Sequence, residues 1–393
     1  MHIKKILKNI MIKFQIIYIK RVLQNRTVNS NCICFQSSPD FSDNSYALFK
    51  YLESAKKNYV FYWLVDTPSQ FKKYETPNVH FIRKNILGSS IIPLKTIRTL
   101  LSAKYSFFTH QSILQEYRNN NQLQINLWHG CGYKDIHNKS SRILFDYVLV
   151  PGSLFIETKT RFFSCDRKKV LPLGYPRYDD LLDTQKILLL HQKIAGDKFR
   201  KIILWMPTFR KTKQNYSENL ICNDYFLPIC TSDEDLKRLN SECKRLDTLL
   251  IIKRHRNQLD NYVDLNLTNI RFIDDTYLSS QNILLYTLIG TADALITDYS
   301  SVAVDYMLLD RPIGFTLDDY EEYKRLRGFV FDNVLDYMPG YHIYTLSQLI
   351  IMLQDIASGI DNYRDARANL FDQMHSLPKG SSYCERIADF FQL

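Results

Sequence analysis

Three stretches of this chain end an apolar run on groups that can hold an anion or move a proton. In LITDYSSVAVDYMLLDRPIGF, residues 295–315, the run stops at Asp298. Ser300 and Ser301 then precede a helical pattern that begins near Val302 and ends before Pro312. A serine there can cap the helix, so that backbone N–H groups and the positive end of the helix dipole face the space beyond the strand. That suits an anion: the hydroxyls donate to phosphate oxygens, and Asp298 orients a neighbour or accepts from a ribose hydroxyl. The plain alternative is an ordinary capped helix.

IIKRH, residues 251–255, ends on Lys253, Arg254 and His255. Three donors at a strand end can clamp a diphosphate, and His255 can protonate a leaving oxygen; a solvated basic loop is the bland alternative. INLWHGCGYKD, residues 125–135, sets His129 after Trp128 and before Gly130, Cys131, Gly132 and Tyr133. The glycines would let a ligand approach the backbone, and a histidine titrating near neutrality suits a general base. No second histidine accompanies Cys131 in this stretch, so it reads as a space-filling group. LGYPRYDD and WMPTFR each end a strand at a proline with an arginine nearby, Arg177 or Arg210. Either arginine can grip phosphate with two parallel bonds, or simply pair with Asp179 or Asp180.

Other chemistries lose their sequence support. The chain contains no GxGxxG, GxxxxGK[ST], HExxH or GxSxG, the marks of dinucleotide oxidoreductases, P-loop NTPases, zincins and α/β-hydrolases. The carboxylates of DDLLD and DDYEEY read as solvated helix starts, so no metal site is assigned and no cofactor is firmly implied. A divalent cation is left unassigned. The eight cysteines form no CxxC pair and no zinc-finger spacing, which predicts a reducing compartment.

These residues must be carried by something, and the pattern says what. From Asn31 onward short apolar strands alternate with helical segments. CICFQ, YVFYWLVD, KYSFFTH, QINLWHG and YVLVPG come first; KIILWMPTF, TLLIIKRH, NIRFIDD and DALITD come after them. Strands separated by helices predict parallel sheets covered on both faces, and 393 residues suggest two such domains. The boundary is expected between Ala195 and Lys201. The expected fold is α/β, two doubly wound Rossmann-like domains facing a cleft at their strand carboxyl ends. The expected division is a helix over 1–28, domains over 29–196 and 197–375, and a last helix over 376–393.

The formal charge is +10, which points to an anionic partner. Seven cations and no acid lie between Met1 and Pro39, and Ile3, Ile6, Leu7, Ile10, Met11, Phe14, Ile17 and Tyr18 recur at helical steps. This predicts a basic amphipathic helix lying on an anionic membrane surface, or else a first helix packed on its own domain. No nucleic-acid partner is expected, because the stripe between the lysines is aliphatic and no RNP, helix-turn-helix or zinc module is present. No apolar run approaches the roughly 20 residues that span a bilayer, and the N-terminus lacks an uncharged apolar core and a small-residue cleavage site. The expectation is a protein neither exported by that route nor integral.

Taken in order, SDNSYALFKYL, NLWHGCGYK, LGYPRYDDLL, WMPTFR, IIKRH, LITDYSSVAVDYMLLDRPIGF and LPKGSSYCERIADFF resemble the CDP-glycerol glycerophosphotransferase family of teichoic-acid primases and polymerases. The resemblance runs from about Asn31 to the C-terminus. It implies a GT-B fold with the nucleotide held mainly by the C-terminal domain and the acceptor by the N-terminal one. It puts His129 with Gly130, Cys131, Gly132 and Tyr133 at the reacting centre, Arg177 nearby, and Pro207 and Thr208 beside the donor. It sets Lys253, Arg254 and His255 at the diphosphate, and Ser300, Ser301 and Asp305 in the nucleotide site with Asp298. Where the family commonly has Thr-Pro, Asn and Trp, this chain has Cys131-Gly132, Tyr178 and Phe209. The implied partners are CDP-glycerol or a related CDP-alcohol, a lipid-linked or polymeric glycan acceptor, and an anionic membrane surface. The implied location is the cytoplasmic face of a bacterial cell membrane. The competing readings are a GT-B glycosyltransferase using a nucleotide sugar, a basic nucleic-acid-binding protein and an inactive membrane scaffold.

Overall fold

The computed structural model describes residues 2–55, 57–86, 90–114, 116–135, 143–207, 227–254, 265–376 and 382–393. The apolar runs form two wholly parallel sheets. The first contains β1 (Asn29–Gln36), β2 (Val60–Val65), β3 (Val79–Arg83), β4 (Ala103–Phe108), β5 (Leu123–Asn126), β6 (Tyr147–Leu149) and β7 (Val170–Leu171). Their order is β3-β2-β1-β4-β5-β6-β7. The second contains β8 (Lys201–Trp205), β9 (Thr248–Lys253), β10 (Ile270–Ile273), β11 (Ala294–Thr297), β12 (Ile313–Thr316) and β13 (Tyr341–Ile343), in the order β10-β9-β8-β11-β12-β13. Both orders reverse direction at one point, β1/β4 and β8/β11, as in Rossmann-type folds. Loops leaving the strand carboxyl ends there form a crevice.

The central strands are buried on both faces, which is why they read as unbroken apolar runs. Ile33, Phe35, Phe107 and Ile125 are fully covered in the first sheet, and Ile202, Leu204, Leu250, Ile252, Leu295 and Ile296 in the second. Phe35 stacks between Trp63 and Phe107 and meets Phe49 of the covering helix α2 (Asp43–Ser54) edge-on.

Two helices cross between the halves. Thr184–Ala195, which precedes the second sheet, packs on Leu285–Thr291; a methyl added at Gly290 would lie 2.6 Å from Ile187 Cδ1. The last helix, Tyr383–Phe391, returns to the first sheet, where Phe391 meets Phe107 edge-on and its carbonyl accepts from the Tyr105 hydroxyl at 2.9 Å. Asp179 holds that helix in place by accepting from the backbone N–H of Tyr383 at 2.7 Å and of Cys384 at 3.0 Å.

The helix α1 (His2–Asn25) forms. Ile19 is buried beside Tyr18, Val22 and Leu23 against the domain, near Ile97, Leu100 and Leu101 of helix α3 (Leu94–Ser102). Gln15 accepts from the backbone N–H of Ile92 at 2.8 Å. Ile10, Met11, Phe14 and Ile17 are exposed. No helix among the described residues is long and apolar enough to cross a membrane.

Candidate active site

The turn after β5 carries His129 and is held in an unusual shape. Trp128 has φ 55° and Gly130 φ 138°, so the chain passes through the left-handed region on both sides of His129. Three buried polar groups hold the turn there. Asn126 accepts from the Trp128 N–H at 2.8 Å, and the Asn44 amide donates to the Trp128 carbonyl at 2.8 Å. Arg177 Nη1 donates to the His129 carbonyl at 3.1 Å. Asn44 is the second residue of α2 and in turn accepts from the Arg177 N–H at 3.2 Å.

Arg177 does not pair with Asp179 or Asp180, the partners its local sequence suggests. Its guanidinium is buried, with Nη1 2.7 Å from Asp43 and Nη2 2.7 Å from Asp305. Asp305 also accepts from the hydroxyls of Tyr178 and Tyr286. Asp305 is fully buried among these donors and does not line the cleft. Cys131 and Tyr133 are likewise fully buried, with the Cys131 thiol 3.2 Å from the Tyr175 hydroxyl. Asp298 is fully buried at the end of β11. These positions shape the turn and the strand end and do not line the cleft.

The glycines admit the other half of the protein. A methyl on Gly130 would lie 2.5 Å from Ser301 Oγ, and one on Gly132 would lie 2.9 Å from the Ser301 N and Cα. The loop after β11 thus lies directly on the His129 turn. Next to it, Val330 N–H donates to the Tyr133 carbonyl at 2.9 Å and Asp135 N–H to the Gly328 carbonyl at 3.1 Å, a short strand-like seam between the halves. Ser301 precedes the short helix Val302–Tyr306, but the expected cap is absent: its side chain makes no capping bond, and the hydroxyl stays at the seam.

Between the halves lies a cavity of about 180 Å³, lined by His129, Gly130, Gly132, Lys159, Ser300 and Ser301 among others. The His129 ring is exposed to it. A carbonyl can only accept, so His129 Nδ1, 3.4 Å from the Thr109 carbonyl, carries the proton. Nε2 then keeps its lone pair. Surrounding protein, then the charges of His110 and Lys159, lower the His129 pKa from its usual 6.5. Cleft water moderates the burial effect without reversing it, so the imidazole is neutral at pH 7. This corrects the expectation of titration near neutrality.

Lys159, on helix α4 (Phe155–Phe163), carries no motif in the sequence and is the notable addition. Its side chain is buried, with Nζ 4.8 Å from the centre of the Trp128 ring and 5.0 Å from that of Phe162. Among the described residues no carboxylate pairs with it. Burial holds its pKa below the usual lysine range. A half-desolvated cation beside a neutral imidazole and two hydroxyls is a receptor for an anion. Its one sequence signal is a lysine inside an otherwise apolar and aromatic helix face. Asp43 and Asn44 were legible only as part of the SDNSYALFKYL block.

Other predicted residues lie apart from this cavity or outside the described residues. Lys253, at the end of β9, pairs with Asp275 at 2.8 Å and does not line the cavity. The Arg254 N–H donates to the Ile273 carbonyl at 2.9 Å. Pro207 comes after β8 at the reversal point of the second sheet, next to β11. Thr208, Arg210 and His255 lie outside the described residues.

Comparison with known proteins agrees with this architecture. The teichoic acid poly(glycerol phosphate) polymerase of Bacillus spizizenii is 26% identical over 387 residues, covering 90% of each chain. The teichoic acid ribitol-phosphate primase of the same species is 29% identical over 333 residues, covering 77% of each. The solved structure of the wall teichoic acid polymerase TagF superposes with a TM-score of 0.71 at 24% identity, covering 93% of this chain and 89% of that one. Residues 17–391 match the family described as CDP-Glycerol:Poly(glycerophosphate) glycerophosphotransferase. With that match spanning both sheets and the cleft between them, the chain belongs to the CDP-glycerol glycerophosphotransferase family, enzymes of teichoic acid biosynthesis.

Proposed function

We propose that the protein transfers a polyol phosphate, most simply sn-glycerol 3-phosphate, from a CDP-activated donor to a hydroxyl of a lipid-linked or polymeric cell-surface glycan, releasing CMP. One observation carries this reading. His129 presents a neutral imidazole to a cavity that also holds the Lys159 ammonium and, from the opposite half, Ser300 and Ser301.

In this mechanism the acceptor O–H gives its proton to His129 Nε2 as its oxygen attacks the β-phosphorus of the donor in line. The new O–P bond forms as the bond from that phosphorus to the CMP oxygen breaks, and CMP leaves with the electron pair. Charge on the transferred group is spread over its non-bridging oxygens, so fixed donors supply most of the stabilisation. Lys159 and the Ser300 and Ser301 hydroxyls are placed for that, in a site where displaced water strengthens each contact. The second half is the donor side, with Pro207 and Thr208 near the nucleotide and Lys253, Arg254 and His255 at its diphosphate; the first half is the acceptor side. Lys253 would exchange Asp275 for phosphate as the donor enters.

A lipid-linked acceptor requires access to a membrane. The exposed Ile10, Met11, Phe14 and Ile17, beside lysines on α1, support docking on an anionic leaflet at the cytoplasmic face. The decisive experiment incubates purified protein and membrane extract with CDP-glycerol, CDP-ribitol and a set of nucleotide sugars. CMP release with a CDP-polyol supports the reading. UDP or GDP release from a nucleotide sugar, with none from CDP-polyols, overturns it.

A further inference from the structure

We propose that a second cavity, in the first half of the molecule, holds the acceptor, and that the unit it takes is an uncharged polyhydroxyl group, a sugar or free polyol, and not an anionic polyol-phosphate chain. This rests on the transfer reaction proposed above. The cavity measures about 590 Å³, inside the roughly 300–1,000 Å³ range of small-molecule sites. It opens at the carboxyl ends of β1 and β4, where Gln36 and Thr109 line it. That is the reversal point of the first sheet, where doubly wound folds bind their ligands.

Its chemistry sets the class of ligand. Ser37, Asn85 and Ser112 stand in the lining with Ile92, Leu114 and Tyr117. Hydrogen-bonding groups beside apolar surface match the hydroxyl edges and C–H faces of a sugar. The one lysine or arginine among the described lining residues is Lys84, and its charge is already balanced: it pairs with Asp40, and its Nζ lies 3.8 Å from Asp66. Glu116 adds a further negative charge. An entering anion would meet no uncompensated lysine or arginine charge among the described lining residues. The cavity at His129, which contains Lys159, differs in this respect. One half-site is thus built for phosphate and the other for neutral hydroxyls.

His110 joins the two. It lines the larger cavity, and its Nδ1 lies 2.9 Å from Thr109 Oγ1. Its ring stacks on that of His129, with centroids 4.2 Å apart and planes 6° from parallel. A hydroxyl presented past the edge of His110 therefore arrives beside the imidazole that takes its proton. His110 is a positioning residue for both.

The test uses the full chain. Saturation-transfer NMR is recorded with methyl glucoside, methyl N-acetylglucosaminide, glycerol and a glycerol phosphate oligomer. Gln111→Trp places an indole in the cavity from an exposed position, and Ser90→Trp, also exposed, serves if the first variant melts early. Saturation should pass to the neutral glycosides and not to the oligomer, and should vanish in the variant while calorimetric binding of CDP-glycerol is unchanged. In turnover the acceptor KM should rise about tenfold or more with little change in kcat. Preference for the oligomer, or equal glycoside binding by wild type and variant, overturns the proposal. The NMR test needs no turnover, so failure to release CMP would sink the donor reading and still leave the cavity decided. CMP release with glycoside binding unmoved by the indole would do the reverse.

Discussion

Arg177 Nη2 donates to Asp305 Oδ2 at 2.7 Å inside the protein, and the same guanidinium reaches the His129 carbonyl through Nη1 at 3.1 Å. One side chain thus ties the helix after β11 to the turn that carries the proposed base. The position of His129 depends on how the two halves meet.

Removing that tie should be costly. Arg177→Met leaves Asp305 buried beside two tyrosines without a cation, a change that costs roughly 3–5 kcal/mol for buried pairs. Denaturant unfolding measures it, and turnover should fall further than stability alone explains because His129 loses a backbone anchor. A loss below about 1 kcal/mol would mean that the pair is solvated in solution.

His129 yields a prediction about pH. Because its pKa is lowered, the neutral base persists below pH 6.5, and kcat/KM, which reports the free enzyme, should show no acid limb near 6.5. A bound diphosphate adds negative charge close by, favours the imidazolium and raises the pKa, so the limb in kcat should lie at higher pH. His129→Ala should reduce kcat about 10²-fold or more with donor affinity nearly intact. Coincident limbs at pH 6.5 in both profiles would contradict the placement.

Lys159 sets function against stability. A buried cation with no carboxylate partner among the described residues opposes folding, so Lys159→Met should raise the unfolding free energy by on the order of 1 kcal/mol or more. The same change should lower turnover and raise the His129 pKa, since the lysine charge is one of its depressing causes. A variant that is both less stable and fully active would assign the lysine to packing.

Membrane docking can be separated from folding. Deleting α1 would expose the surface that covers Ile19, so the cleaner variant replaces Phe14 and Ile17 with glutamine at exposed positions. Thermal unfolding should be unchanged, and co-sedimentation with anionic vesicles should fall, more than moderate salt alone achieves, because ions screen lysines but leave apolar burial in place. Equal sedimentation of variant and wild type would remove these side chains from any docking role.

The sequence by itself determined the two parallel sheets and the placement of His129, Ser300 and Ser301 at strand ends. Local patterning suffices for this: strands buried on both faces read as apolar runs, and the residues just after each run must lie at a carboxyl edge of the sheet. The order of the motif blocks was enough to identify the family. The tertiary structure decided the roles within the site. Arg177 read either as a phosphate ligand or as a partner of Asp179 or Asp180, yet its partners, Asp43 and Asp305, lie more than a hundred residues away in either direction. Gly130 and Gly132 looked like room for a ligand; they do line the cavity, and their lack of a side chain also admits Ser301 from the opposite half. Lys159 and His110 carried no motif at all. Desolvation and the stacking of two rings from different strand ends are properties of the packed chain, and charge in a protein takes its meaning from what surrounds it.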